Sequence, residues 1–257
     1  MFSAYIIHTS VVFSNMSNMQ FSPATMLKLQ HGALLNFITT RNTKALALSI
    51  KQNPLGEDDY IKVMEHAATL GYHDIVMTMV NLMEHNYIQL NNISKLPDYI
   101  VYNRIMVAAA GGDHQSIVDQ MIKFSTISTK SLSNVKHDMY VAYNSAMLSA
   151  ASGGHQNIVS QMIEMGADAY SLAMCFAAGE GHVNIVNQMI VLGADNFNGA
   201  MLYAARGNHQ AIVELMISLG GNDYIRAIKV ALACGNHYIA DQLLVMYDSR
   251  DDIIQLP

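Results

Sequence analysis

The chain has 257 residues, of which 51% are hydrophobic and 13% charged, a composition too apolar and too weakly charged for a disordered chain. Its net charge of -6 and its 14 unclustered Lys and Arg lack the electrostatic footprint of a nucleic-acid binder. Two cysteines cannot build a disulfide scaffold, and no apolar run approaches the roughly 20 residues that span a bilayer.

Residues 1–22 read as a tail or cap. MFSAYIIHTSVVF is apolar but has no basic start and is interrupted by His8, so no secretory signal is expected. Met16 and Met19 are further plausible starts. From about residue 23 to Tyr247 the chain repeats itself. HGALLNFITTRNTKALALSIKQN from His31 is a degenerate first copy. Tyr60 opens YIKVMEHAATLGYHDIVMTMVNL, and Tyr102 opens YNRIMVAAAGGDHQSIVDQMIKF. Further copies start at Tyr143, Tyr170, Phe197 and Tyr224, the last three each 27 residues after the one before. The spacings before Tyr102 and Tyr143 are longer, 42 and 41 residues. This makes seven repeats, the end ones atypical as in other repeat arrays, with residues 248–257 as a tail.

Each repeat reads as two short helices. Ala146, Met147, Ala150 and Ala151 give the first an apolar stripe. Gly154, Gly181, Asn208 and Asn236 then share one position, with Asp113 upstream, the set that a left-handed site after a helix selects. The second helix carries Ile158, Val159, Met162 and Ile163 and stops at Gly166-Ala167-Asp168. Neither helix reaches the roughly 12–15 residues at which isolated helices become marginal in water, so stacking of repeats must bury their faces. Cys175 and Cys234 fall in first helices. They are expected to be buried and reduced, which suits an intracellular, cytoplasmic protein.

The string Ala177-Ala178, Gly181-His182, Ile185-Val186, Met189-Ile190, Gly193-Ala194-Asp195 closely resembles the ankyrin repeat, and the same string recurs in register from about Tyr60 to about Tyr247. The resemblance implies an all-α fold, an ankyrin-type α-solenoid of stacked helix-turn-helix repeats. The 27-residue period falls short of the usual length of about 33. The shortfall lies where the family has its β-hairpin finger, so short or absent fingers are expected. The family's Thr-Pro-Leu-His tetrapeptide is replaced by Leu172-Ala173-Met174-Cys175 and Gly199-Ala200-Met201-Leu202. The Asn-, Ile- and Met-rich short repeats are similar to divergent ankyrin proteins of large DNA viruses.

Three recurring residue types invite functional readings. His73, His114, His155, His182, His209 and His237 form a row, but equivalent residues in stacked helices lie about 8–10 Å apart and zinc needs its nitrogens at about 2.0–2.1 Å. The row is therefore expected to tie down the turn before the second helix, and no metal is expected. Met106, Met147, Met174 and Met201 on first helices, and Met121, Met162, Met189 and Met216 on second helices, fall at interior positions as adaptable filler. Tyr102, Tyr143, Tyr170, Phe197 and Tyr224 are expected to pack as an aromatic ladder at the mouth of the first helices.

In ankyrin repeats the residue before Ala-Ala faces the concave surface. Here it is Ala108, Ser149, Phe176 and Tyr203, varying while the pattern around it holds. One turn earlier lie Arg104, Ser145, Leu172 and Gly199, and after the Ala pair come Glu180 and Arg206. These ten residues are the expected partner-binding surface. Phe176 and Tyr203 should be neighbours with Arg206 close by, the composition of a hot spot; alternatively Phe176 merely packs on the adjacent repeat. The long joints NYIQLNNISKLPDYI and STISTKSLSNVKHDM are expected to project as loops, often the binding face of an array, or the second to serve as a spacer. Glu57, Asp58 and Asp59 read as a solvated run, no catalytic set stands out, and the C-terminal YDSRDDIIQLP carries no convincing adaptor motif. The expectation is a non-catalytic scaffold for a protein partner, with no cofactor, nucleic acid or membrane and no homo-oligomer. The alternative is a self-assembling structural component using the array's ends or loops.

Overall fold

The structure is a computed structural model that describes residues 36–52, 55–84, 97–130 and 135–254. Among these, every regular element is a helix and there is no strand. The chain divides into two compact bodies, residues 1–97 and 98–257. The first holds α1 (Thr43–Gln52), α2 (Glu57–Thr69) and α3 (His73–Glu84). Both α1 and α2 pack on α3, and Arg41 reaches across to Asp74 at 2.9 Å while lying 5.4 Å over the Tyr72 ring.

The second body is five helix pairs: α4 (Asp98–Gly111) with α5 (Gln115–Thr129), α6 (Lys136–Gly153) with α7 (Gln156–Glu164), α8 (Tyr170–Glu180) with α9 (Val183–Val191), α10 (Phe197–Gly207) with α11 (Gln210–Ser218), and α12 (Tyr224–Ala233) with α13 (His237–Ile254). Each first helix packs on its own second helix and on the first helix of the next pair, so α4, α6, α8, α10 and α12 form a continuous layer. Successive second helices touch sparingly. The close layer follows from small residues. Ala109-Ala110, Ala150-Ala151, Ala177-Ala178 and Ala204-Ala205 are fully buried. At Gly207 a Cβ would stand 1.9 Å from the Gly179 carbonyl oxygen, which is how near α10 comes to α8. All eight methionines of the repeat pattern are fully buried, as unbranched side chains filling the gaps between helix pairs.

Helix ends follow the turn chemistry with one shift of register. Gly71, Asp113, Gly154, Gly181, Asn208 and Gly235 all have positive φ, and Gly166, Gly193 and Gly220 repeat this after the second helices. The left-handed site of the last pair is therefore Gly235, not Asn236. By the same register Tyr72 and Asn236 occupy the position of His114, His155, His182 and His209, whereas His73 and His237 open second helices.

The two long joints fare differently. Most of the first, and the start of the His31 copy, lie outside the described residues. Of the second, residues 131–134 also lie outside the described residues, and the rest is almost all helix rather than loop. Ser125–Thr129 extend α5 to 15 residues, and Lys136 onward extends α6 to 18, against 9 in α7 and 11 in α8. The added turns pack on the start of α4. Ser125 is buried and donates to the Asn103 Oδ1 at 2.7 Å and the Tyr99 carbonyl at 3.3 Å. The Tyr99 hydroxyl donates to Asp138 at 2.8 Å, and that bond raises its pKa above the usual phenol value. Satisfying these polar groups internally is what lets the insertion fold as helix rather than loop. At the other end α13 continues to Ile254, past the expected boundary at Tyr247.

Candidate functional site

Two interlocks recur between successive helix pairs. The first uses the residue after the aromatic start. Asn144 Oδ1 accepts the backbone N–H groups of Asp168 and Ala169 at 3.0 and 2.8 Å. Asn198 Oδ1 accepts those of Asn222 and Asp223 at 2.7 and 3.0 Å. Ser171 does the same for Asp195 at 3.2 Å. A polar residue every 27 positions thus pins the turn leading to the next first helix. The second interlock reaches backward. His155 Nε2 donates to the Gly111 carbonyl at 3.0 Å, and His182 Nε2 to that of Ser152 at 2.9 Å. Asn236, in the same register, donates its amide to the Ala205 and Arg206 carbonyls, both at 2.9 Å. These bonds satisfy orphan carbonyls at first-helix C-termini. Among the described residues no three His, Cys, Asp or Glu side chains group as metal ligands.

The aromatic starts are less uniform than a ladder. Tyr102, Tyr143 and Tyr224 are buried, whereas Tyr170 and Phe197 are half-buried. Ring contacts at Tyr102 and Tyr224 run to Phe124 and Tyr247, on the second helix of the same pair. Burial raises the Tyr143 phenol pKa. Cys175 is buried, and burial pushes its thiol up to about 11. Cys234 is exposed, contrary to expectation. It is the C-cap of α12, at the register position of Glu180, which is exposed as well.

The outer face of the first-helix layer carries the sequence-predicted surface. Phe176 on α8 and Tyr203 on α10 meet edge to face, centroids 5.8 Å apart and planes at 67°. Phe176 is half-buried and Tyr203 is 40% exposed. Phe176 thus packs on the neighbouring repeat, through a partner that is itself exposed. Tyr203 also lies over Gly179, at 3.3 Å from where a Cβ would stand. Leu172 is 53% exposed, Arg104, Glu180 and Arg206 are exposed, and Ala108, Ser145 and Ser149 are half-buried. Gly199 has a structural reason of its own. A side chain there would collide with the Asn196 amide, which caps α10 by accepting the Gly199 N–H at 3.0 Å.

Beside the aromatic pair runs an open groove of about 540 Å³. Leu148, Ser149, Ser152 and Gly153 of α6 form one side, Phe176 and Glu180 of α8 the other, and Gly111 closes the end. Ser149, Phe176 and Glu180 were legible in the sequence. Leu148 and Ser152 were not, although they follow Ser145 and Ser149 at the i, i+3, i+4, i+7 spacing of one helix face. Arg104, Ala108, Ser145, Leu172, Gly199, Tyr203 and Arg206 stand on the same layer outside the groove lining. No helix among the described residues is long and apolar enough to cross a membrane. No family model matches the chain, and no curated protein matches it significantly.

Proposed function

We propose that the chain is an ankyrin-type α-solenoid that works without catalysis, capturing a protein partner on the outer face of its first helices. The observation that carries this reading is the Phe176–Tyr203 pair at 5.8 Å, set beside a groove. Large aromatics that touch across adjacent repeats lose little freedom on binding and bury much apolar area. They stand on a layer whose buried Ala and Met positions repeat while the outer residues change from Ser149 to Phe176 to Tyr203, the division a recognition surface needs. On the resemblance to ankyrin proteins of large DNA viruses, the partner is a host protein met in the cytoplasm. The test is affinity capture from host lysate with the wild type and a Phe176→Ala, Tyr203→Ala variant whose fold is checked by circular dichroism. A partner held by the first and lost by the second supports the face. A partner held equally by both overturns it.

A second reading, self-assembly through the array's end, is favoured by one feature. The far side of the last pair exposes Ile225 at 50%, Leu232 at 49% and Leu244 at 48%, where an end-cap repeat normally has a polar face. Light scattering tests it. A concentration-dependent oligomer dispersed by Ile225→Asn with Leu232→Ser supports assembly, and a monomer at all concentrations overturns it.

A further inference from the structure

We infer that the groove between α6 and α8 receives an arginine side chain of the partner protein; this rests on the binding-scaffold reading and names the chemistry of its central contact. Three features point the same way. The first is a carboxylate on the groove wall: Glu180 lines it and is exposed, and its side chain makes no hydrogen bond or ion pair. The second is the direction of the helices. α4, α6 and α8 end at Gly111, Gly153 and Glu180, all three of which line the groove. Three helix C-termini therefore line the groove, and such ends favour cations; of their carbonyls, those of Gly111 and Ser152 are already held by His155 and His182. The third is the surrounding charge. Residues 98–257 hold 14 acidic and 8 basic residues, while residues 1–97 hold six of each, so the whole net negative charge lies in the second body. Between Lys136 and Arg206 there is no Lys or Arg at all, and five acidic residues. Six of the seven lining residues fall within this stretch and none of the seven is basic, so nothing basic on its walls competes for Glu180.

Arginine fits better than lysine because of the walls. Phe176 offers an aromatic surface on which a planar guanidinium stacks, and Leu148 an aliphatic one for its stem. The guanidinium fork matches a carboxylate with two parallel hydrogen bonds, and the Ser149 and Ser152 hydroxyls can accept its remaining donors. An ammonium would satisfy the charge without the stacking. A neutral apolar side chain would leave the Glu180 carboxylate partly desolvated and unpaired.

The test pans a random heptapeptide phage library on the full chain and on its Glu180→Gln, Glu180→Lys and Phe176→Ala, Tyr203→Ala variants. Wild-type pools are expected to be enriched in arginine, Glu180→Gln pools to lose that enrichment, and Glu180→Lys pools to favour Asp or Glu. The best wild-type peptide and its Arg→Gln version are then titrated by fluorescence anisotropy against wild type and Glu180→Gln. Changing the arginine should weaken binding to wild type about tenfold and binding to Glu180→Gln hardly at all, the signature of a direct pair. Equal weakening on both proteins, lysine in place of arginine, or no selected peptide overturns the inference. Peptides that lack arginine but are lost on Phe176→Ala, Tyr203→Ala overturn it while leaving the binding face standing. Peptides indifferent to every variant overturn both.

Discussion

Replacing Asn198 by Ala removes the acceptor for two backbone N–H groups, those of Asn222 and Asp223 at 2.7 and 3.0 Å. A neutral hydrogen bond contributes about 0.5–1.5 kcal/mol net, and its loss matters most where the orphaned group is kept from water. Asn222 is exposed and Asp223 half-buried, so water replaces much of the first bond and little of the second. The expected cost is about 1–2 kcal/mol. It should be local, because each pair in a repeat array is held only by its neighbours, and the turn at 221–223 is what seats α12. Hydrogen exchange read residue by residue is the assay. The amides of Asn222 and Asp223 should exchange about five to thirty times faster, a tenfold change corresponding to about 1.4 kcal/mol, with α12 and α13 loosened and α6 to α9 unchanged. Asn198→Ser should restore part of the protection, since Ser171 performs this task one repeat earlier through a single bond at 3.2 Å. Unchanged exchange at Asn222 and Asp223 in Asn198→Ala would refute the interlock, as would loosening spread evenly over the whole body.

Gly207→Ala forces a methyl to within 1.9 Å of the Gly179 carbonyl oxygen; urea unfolding should show a loss of about 1–3 kcal/mol, typical of overpacking, and an unchanged midpoint would contradict the close approach of α8 and α10. Ser125→Ala strips the buried Asn103 and Tyr99 acceptors of their donor and should cost about 1–3 kcal/mol by the same measurement, with faster exchange confined to the starts of α4 and α6. Of the two thiols, Cys234 should react with a thiol reagent in the native protein and Cys175 only after unfolding; equal native rates would contradict its burial. Because burial lifts the Cys175 thiol from 9.0 to about 11, the unfolded chain gives up this proton between those pH values while the folded chain keeps it. Stability should therefore fall as pH rises through that window, and Cys175→Ala should flatten the slope in chemical unfolding.

Much of this was legible because a strict period turns sequence distance into spatial adjacency. The interval of 27 between Phe176 and Tyr203 was enough to make them neighbours, and the recurring Ala pairs and methionines were enough to place the core. What was missed lay where identity and register part company. Following the histidines rather than the period puts His237 in the row and Asn236 at the left-handed site, each one residue out. The Ser/Thr-rich joint reads as a loop because hydroxyl side chains compete with helix hydrogen bonds. It became helix because Ser125 and Asn103 satisfy each other in the interior, a tertiary fact with no local signature. Cys234 reads as buried because cysteine favours the interior, whereas by register it shares the position of Glu180, which is exposed as well. The groove was half seen. Ser149, Phe176 and Glu180 vary conspicuously between copies, whereas Leu148 and Ser152 join them through the geometry of one helix face.

The last repeat explains why its departures fall where they do. A residue that faces backward still has a neighbour to hold, and one that faces forward does not. Asn236 faces backward and keeps the task of His155 and His182 in different chemistry, donating to the carbonyls of Ala205 and Arg206. Ile225 stands where Asn144, Ser171 and Asn198 accept the next turn's N–H groups, and among the described residues no such turn follows α13. Leu232 stands where Ala110, Ala151, Ala178 and Ala205 must be small for the following helix to approach, and among the described residues no such helix approaches it. Loss of constraint accounts for the freedom at these two positions but not for their direction. Water would favour polar residues there, yet both are aliphatic and about half exposed. The backward side of the repeat is thus explained by stacking, while on the forward side two aliphatic residues, Ile225 and Leu232, stand about half exposed.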